Sequence, residues 1–324
     1  MVMECKRGLV SVVIPCYNQA VYLSETLDSL LKQKYNLWEG IVVDDGSPDN
    51  TKQVALEYVE KDSRFKYVYK PNGGLSSARN KGISLAVGEF ILPLDADDII
   101  QPEYLEEAVN AFQKNPDTKL VYCLGQFFGE RTGLWNLSYK GYKSLLIRNS
   151  LFCSVIYRKE DALQIGGYDE RMLLGYEDWE FLIRFLDESS VVHKIPQVLF
   201  YYRTKAVSMI TEADKRREEL EEYIYMKHHD KYFMYYGGTI SGLRRLEHYD
   251  SEQECTTEDF ESRLKSFREQ YDLELGYYKQ KINRYRNKWY RRWAFQFYFA
   301  WTVIKCHRKA ETGHCVQMHF CSIT

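Results

Sequence analysis

Short apolar runs rich in β-branched residues alternate with stripes of helical period through the first part of the chain. Leu9-Val10-Ser11-Val12-Val13-Ile14 stops at Pro15 and predicts a buried strand. Leu23, Leu27, Leu30 and Leu31 share one face of the helix that follows, with Asn18 as its cap. Ile41-Val42-Val43 is the next strand, and Asp49 to Asp62 is a helix with Asn50 and Gln53 at capping-box spacing. Phe65 to Tyr69 is a third strand, and Ser76 to Val87 a helix that closes at Gly88. Phe90 to Leu94 is a fourth strand. Pro102 suits a first helical turn, with Leu105, Ala108, Val109 and Phe112 as the stripe behind it. Lys119 to Leu124 is a fifth strand. Further on, Trp179, Leu182, Ile183 and Leu186 anchor a helix, and Val191 to Ile195 reads as a strand in which His193 is structural.

Strand and helix alternating at this spacing predict an α/β fold with a largely parallel sheet and helices on both faces. Ligands of such sheets bind just beyond the carboxyl ends of the strands. Three polar clusters fall there: Pro15-Cys16-Tyr17-Asn18, Asp44-Asp45-Gly46-Ser47 and Asp95-Ala96-Asp97-Asp98. Composition shifts after Met209, which divides the chain into a domain over 1–212 and a mainly helical extension over 213–324. Within the extension, Glu247 to Asp259 is polar and acidic and reads as a linker or loop. From Phe260 to Trp289 apolar residues recur every three or four positions, predicting one long amphipathic helix or two in series.

Composition narrows the class. A hydrophobic share of 45% with 28% charged residues is that of an ordinary globular protein, and a net charge of -2 carries no nucleic-acid signature. The 27 tyrosines point to exposed aromatic surface, for sugar rings or a membrane interface. Eight scattered cysteines without a C-x-x-C pair favour reduced thiols in a cytoplasmic protein. Lys6 and Arg7 precede the first apolar run, but that run is short for a secretory leader and lacks a small-residue cleavage site. No stretch reaches the ~20 apolar residues of a spanning helix.

The acids after the fourth strand carry the chemistry. Asp95 and Asp97, two apart on a turn, can both face a hard divalent cation that bridges to a diphosphate; a solvated acidic turn is the plainer reading. Asp45 can accept from a base or a ribose, or serve turn chemistry. Gly73 and Gly74 open a helix whose N-terminus can face phosphate, and Arg79 can pair with the diphosphate or with the acidic cluster. Glu177 and Asp178 lie in the first turn of an anchored helix, where an acid suits a general base or simply favours the helix dipole.

Five segments in order resemble the motif set of family 2 glycosyltransferases, which are inverting enzymes with the GT-A fold. They are Val10 to Asn18, Val42 to Ser47, Asn72 to Arg79, Leu94 to Asp98 and Glu177 to Trp179, and the resemblance spans roughly residues 8 to 209. It implies a GT-A-type mostly parallel sheet with a Rossmann-like nucleotide-binding half. It further implies that Pro15 and Tyr17 line the base pocket, with Asn18 among the nucleotide-sugar-binding residues, and that Asp45 reads the uracil edge. Gly74 and Arg79 lie in the segment approaching the diphosphate, Asp95 contacts ribose or helps the metal, and Asp97 binds Mn²⁺ or Mg²⁺. Asp178 is the implied base, with Glu177 beside it. Tyr202-Arg203 and Ser208-Met209 resemble the stretch that closes the domain. The implied partners are a nucleotide-sugar donor and a saccharide or lipid-linked acceptor, in bacterial surface polysaccharide or glycolipid synthesis.

Two other classes stay in view. A nucleotidyltransferase would carry a Gly-rich, basic loop after the first strand, where this chain has Pro15 to Asn18. A non-catalytic nucleotide-sugar module would have lost Asp97 or Asp178, and both are present. Between Leu275 and Ala310 there are ten Lys or Arg, no acids and eleven aromatics. That stretch suits a helix on the inner face of the cell membrane, or a packed helix, or a homodimer seam. The tail with His307, His314, Cys315, His319 and Cys321 matches no zinc spacing and reads as disordered.

Overall fold

The computed structural model describes residues 5–135, 137–205, 213 and 215–236. The linker, the amphipathic pattern from Phe260, the basic aromatic stretch 275–310, the His/Cys tail and Ser208-Met209 lie outside the described residues. The chain divides into two compact units, Met1–Tyr235 and Tyr236–Thr324.

The first half is built as the alternation predicts. Strands β1 (Lys6–Cys16), β2 (Trp38–Asp44), β3 (Phe65–Tyr69) and β4 (Gly88–Pro93) pair in parallel in the order β3-β2-β1-β4. Helices α1 (Ala20–Leu31), α2 (Thr51–Lys61) and α3 (Leu75–Leu85) connect them. Every residue of β2 is buried, and so is β1 from Val10 onward, which is why both read as continuous apolar runs. β1 therefore sits centrally, and its carboxyl end registers Cys16 against Asp44.

The second half departs from a parallel sheet. Strand β5 (Ile99–Ile100) and helix α4 (Tyr104–Lys114) lead to the long β6 (Thr118–Gly129), whose partner hairpin strand is β7 (Gly133–Trp135). Helix α5 (Tyr142–Ile147) precedes β8 (Ile156–Arg158), which runs antiparallel to both β4 and β6. Helices α6 (Lys159–Gln164) and α7 (Glu177–Phe185) then lead to β9 (Val191–Thr204), parallel to β6 and antiparallel to β5. The sheet is thus mixed. The short β8 lies between β4 and β6, which point the same way, and runs against both. His193 is an exposed residue of β9.

Local caps differ from the sequence pattern. Asn18 is not the cap of α1: it is left-handed, with φ 54°, and its amide donates to Ser47 Oγ at 3.2 Å. The cap comes from Asp49, whose Oδ2 accepts from the Ala20 amide at 2.9 Å while Oδ1 accepts from the Thr51 amide at 3.1 Å. One carboxylate so serves the starts of α1 and α2. The Asn50–Gln53 box does not form, because the Gln53 amide points along the helix to Glu57. Gly88 does not close α3; it lies in β4, where a Cβ would press on Leu9 O and Ser11 Oγ.

Gly82 has a comparable role in α3. An added Cβ there would overlap Val13 Cγ1 of β1, so the helix reaches the sheet only because position 82 has no side chain. Gly82→Ala is expected to destabilise the protein by about 1–3 kcal/mol through overpacking, read by urea denaturation. An unchanged midpoint would show that α3 can lift off without cost.

Candidate active site

The carboxyl ends of β1, β2 and β4 meet at one edge of the sheet. The Asp45 amide donates to Cys16 O at 2.9 Å, and the Leu94 amide to Val13 O at 2.9 Å. Tyr17 projects from this edge with half of its surface exposed (50%), while Pro15 is buried within β1. Asp44 is structural: it accepts from the Ser47 amide at 2.8 Å and from the Tyr67 hydroxyl at 2.7 Å.

Asp45 ties down the glycine loop. Its carboxylate accepts from Lys70 Nζ at 2.5 Å, from the Gly73 amide at 3.0 Å and from the Gly74 amide at 2.8 Å. The positive end of α3, predicted to face a phosphate through Gly74, already holds an anion of the protein itself. Gly74 has φ 88°, and a Cβ there would meet Leu173.

Exposure alternates through the acidic turn. Asp95 and Asp97 are partly exposed, whereas Ala96 and Asp98 are buried. Asp95 accepts from Arg79 Nη2 at 2.8 Å, and Cys153 Sγ lies 3.4 Å from its other oxygen. Asp97 pairs with Lys205 Nζ at 2.5 Å, and Lys205 also reaches Gln19 Oε1 at 3.1 Å. Asp98 accepts from the Arg203 amide at 2.9 Å through Oδ1, and its Oδ2 is buried without a hydrogen-bond partner. Burial holds Asp98 well above the usual carboxylate range, with Asp97 and Asp95 adding to the rise.

Arg79 resolves one of the alternatives that the residues left open. It is 1% exposed, with Nη1 donating to Glu177 Oε1 at 2.6 Å and Nη2 to Asp95. Its guanidinium stands 5.2 Å from the centre of the Tyr168 ring. Burial works against its charge, but Asp95 and Glu177 outweigh burial and raise its pKa. A side chain enclosed this way pairs with the acidic cluster. Asn80, one position on, holds the loop that leads to α7: its amide donates to Tyr168 O at 2.9 Å and its carbonyl accepts from the Tyr168 amide at 2.7 Å.

Glu177 and Asp178 open α7 after Tyr176, a left-handed cap residue with φ 61°. Asp178 Oδ1 accepts from the Trp179 amide at 2.7 Å and Oδ2 from Asn149 Nδ2 at 3.1 Å. Burial pushes the Asp178 carboxyl up to about 7 and Glu177 adds to the rise, while Arg79, the Trp179 amide and Asn149 pull the other way. A carboxyl poised there can accept a proton near neutral pH. Deeper in α7, Glu180 is fully buried and receives Arg184, Lys227 and His228. Burial resists its charge, but these partners hold its pKa at about 2. Lys227 ends α8 (Arg217–Lys227), and His228 joins it to α9 (His229–Tyr236). These helices, placed by composition in the extension, belong with the sheet in the unit Met1–Tyr235.

The donor set fits a hard divalent cation through its oxygens. Among the described residues, ligand atoms of Asp95, Asp98 and Cys153 lie within 4.8 Å of one another, and Asp98 brings an orphaned oxygen. The Cys153 thiol is pushed well up by burial and by Asp95, so it is a weak ligand beside the carboxylates. This grouping brings in Asp98, whereas the resemblance implies Asp97, which here is paired with Lys205. Asn149, Cys153 and Lys205 carry no motif of their own, and only the folded chain brings them here.

The sequence profile of Glycosyl transferase family 2 matches residues 11–166. An uncharacterized glycosyltransferase of Rickettsia typhi is 34% identical over 226 residues, covering 66% of this chain and 69% of that protein. The minor teichoic acid biosynthesis protein GgaB of Bacillus subtilis is 30% identical over 206 residues. That match covers 60% of this chain and 23% of GgaB, so the chain spans under a quarter of that relative. A crystal structure of residues 1–349 of S. aureus TarS in complex with UDP-GlcNAc superposes with a TM-score of 0.56 at 25% identity. The superposition covers 63% of this chain and 61% of that one, and the shared architecture is the GT-A fold.

Proposed function

The chain belongs to glycosyl transferase family 2, and on that premise we propose that it transfers a sugar from a UDP-sugar to a hydroxyl, with inversion at the anomeric carbon. The observation that carries this reading is the linked acid cluster. Arg79 joins Asp95, on the acidic turn, to Glu177, whose neighbour Asp178 is pushed by burial up to about 7. Asp178 removes the proton from the acceptor hydroxyl as that oxygen attacks the anomeric carbon. Tyr17, exposed at the strand edge, stacks on the base. Mn²⁺ or Mg²⁺ would be held at the acidic turn by Asp95 and Asp97, once Lys205 gives up its pairing with Asp97, and would neutralise the charge of the departing diphosphate. Asp45 contributes by fixing the Lys70 to Gly74 loop around the nucleotide.

The acceptor we assign is a saccharide or lipid-linked saccharide of a bacterial surface polymer, made at the cytoplasmic face of the membrane. GgaB, a teichoic acid biosynthesis protein, and the UDP-GlcNAc complex of TarS support that class. No helix among the described residues is long and apolar enough to cross a membrane.

Isothermal titration of the full chain with UDP-, GDP- and dTDP-sugars, each with Mn²⁺ and with Mg²⁺, tests the donor class. A UDP-sugar is expected to bind at least about tenfold tighter with metal than without it. Failure of every donor to bind with either ion would sink the proposal.

A further inference from the structure

We propose that Asn149 is a positioning residue for Asp178, holding its carboxylate in a single orientation through a side-chain amide that the fold itself aims. The inference rests on Asp178 being the base. Asn149 follows α5, and α5 is pinned to α7 at two points. Trp179 Nε1 donates to Leu145 O at 2.6 Å, and the Tyr142 hydroxyl donates to Ile183 O at 2.9 Å. Both bonds are buried, so the end of α5 cannot shift relative to the helix that bears Asp178.

The amide is also oriented internally. Asn149 Oδ1 accepts from the Leu151 amide at 3.3 Å, which turns Nδ2 towards Asp178 Oδ2 at 3.1 Å. Reversing the amide would lose both bonds, setting oxygen against oxygen at Asp178 and donor against donor at Leu151. The second carboxylate oxygen is fixed by the Trp179 amide at 2.7 Å. With one donor on each oxygen, the carboxylate has little freedom to rotate. A base must meet the acceptor proton at hydrogen-bond distance, so orientation bears directly on its use.

The titratable groups around Asp178 come from three directions. Glu177 precedes it on α7, Arg79 approaches from α3, and Cys153 lies beyond Asn149 on the same segment. Neither Glu177 nor Arg79 hydrogen-bonds it; both pair elsewhere. Among side chains, Asn149 is its direct partner.

The test needs no substrate. The full chain is labelled with carbon-13 at the aspartate carboxyl carbons, and the Asp178 resonance is identified by its loss in Asp178→Asn. Its titration midpoint is then followed by NMR. A donor to the ionised form lowers a carboxyl's pKa, so Asn149→Ala is expected to move the midpoint up by roughly 0.5–1 pH unit. Asn149→Asp, the same size, is expected to move it further, because it sets a second carboxyl against the first. That variant carries the test if the alanine protein does not fold. A midpoint unmoved in the folded variant overturns the inference. Failure of the base assignment shows elsewhere, as transfer that survives in Asp178→Asn.

Discussion

Asp178→Asn is expected to lower sugar transfer by about 10²–10⁴-fold while leaving donor affinity within about twofold. The amide has the volume of the acid and keeps an oxygen for the Trp179 amide, so the start of α7 should survive. What it loses is the ability to take a proton. Donor binding depends on other residues, which is why the two measurements separate. Transfer is measured as release of nucleoside diphosphate in the presence of acceptor, and affinity by calorimetry. Near-wild-type transfer would remove Asp178 from the mechanism.

The same residue sets a pH dependence. Burial favours the neutral carboxyl, so below about pH 7 Asp178 is protonated and cannot act as a base. Wild-type transfer is therefore expected to rise with pH through the neutral range and level off above it. At the acid side the slope should approach tenfold per pH unit. The residual rate of Asp178→Asn should lack that limb, since its amide does not titrate.

Arg79→Met is expected to destabilise the protein by about 3–5 kcal/mol, the cost of breaking a buried ion pair by removing one partner. Arg79 is 1% exposed and serves Asp95 and Glu177 together. Methionine fills part of the volume but leaves two carboxylates facing each other without a cation, and Glu177 is itself buried. Arg79 also pulls the Asp178 carboxyl down, so its loss should carry the acid limb of the rate profile above pH 7. Urea denaturation reads the first effect, and the pH profile of whatever protein remains folded reads the second. Arg79→Lys should rescue only in part, because an ammonium lacks the planar fork that reaches two carboxylates at once. Wild-type stability in Arg79→Met would mean that the cluster relaxes into solvent.

Glu180 shows why composition alone does not place the C-terminal boundary of the compact unit. The segment after Met209 is charged, and charge in a sequence reads as exposure. In the fold, Lys227 and His228 enter a buried site and meet a carboxylate with no exposed surface. A pattern of residue types cannot distinguish a solvated charge from a paired one, because the pairing partner is far away in the chain. The same limit applies to the caps. Asn18 and Asn50 are good capping residues by type, yet Asp49 does the capping from a turn that only tertiary contact brings to α1.

Local order determined much of this protein. Apolar runs and helical stripes specified β1 to β4 and their connecting helices; burial on both faces leaves an unmistakable apolar run in β1, β2 and β4, while β3 at the sheet edge is buried only at Phe65. The order of the five motifs carried the family, and the strand ends gathered Tyr17, Asp45 and Asp95 to Asp98 at one edge, as the alternation implied. The tertiary structure decided how these residues are used. Arg79 and Glu177 are 98 positions apart, Asp45 and Gly74 are 29 apart, and Asn149 and Asp178 are 29 apart. Each of these contacts depends on the packing of one helix against another or against a strand end. A side chain's charge state and free valence are set by its partners in space. The sequence named the acids, and the fold determined which are already paired, which is left with an orphaned oxygen, and which is held near neutral pH.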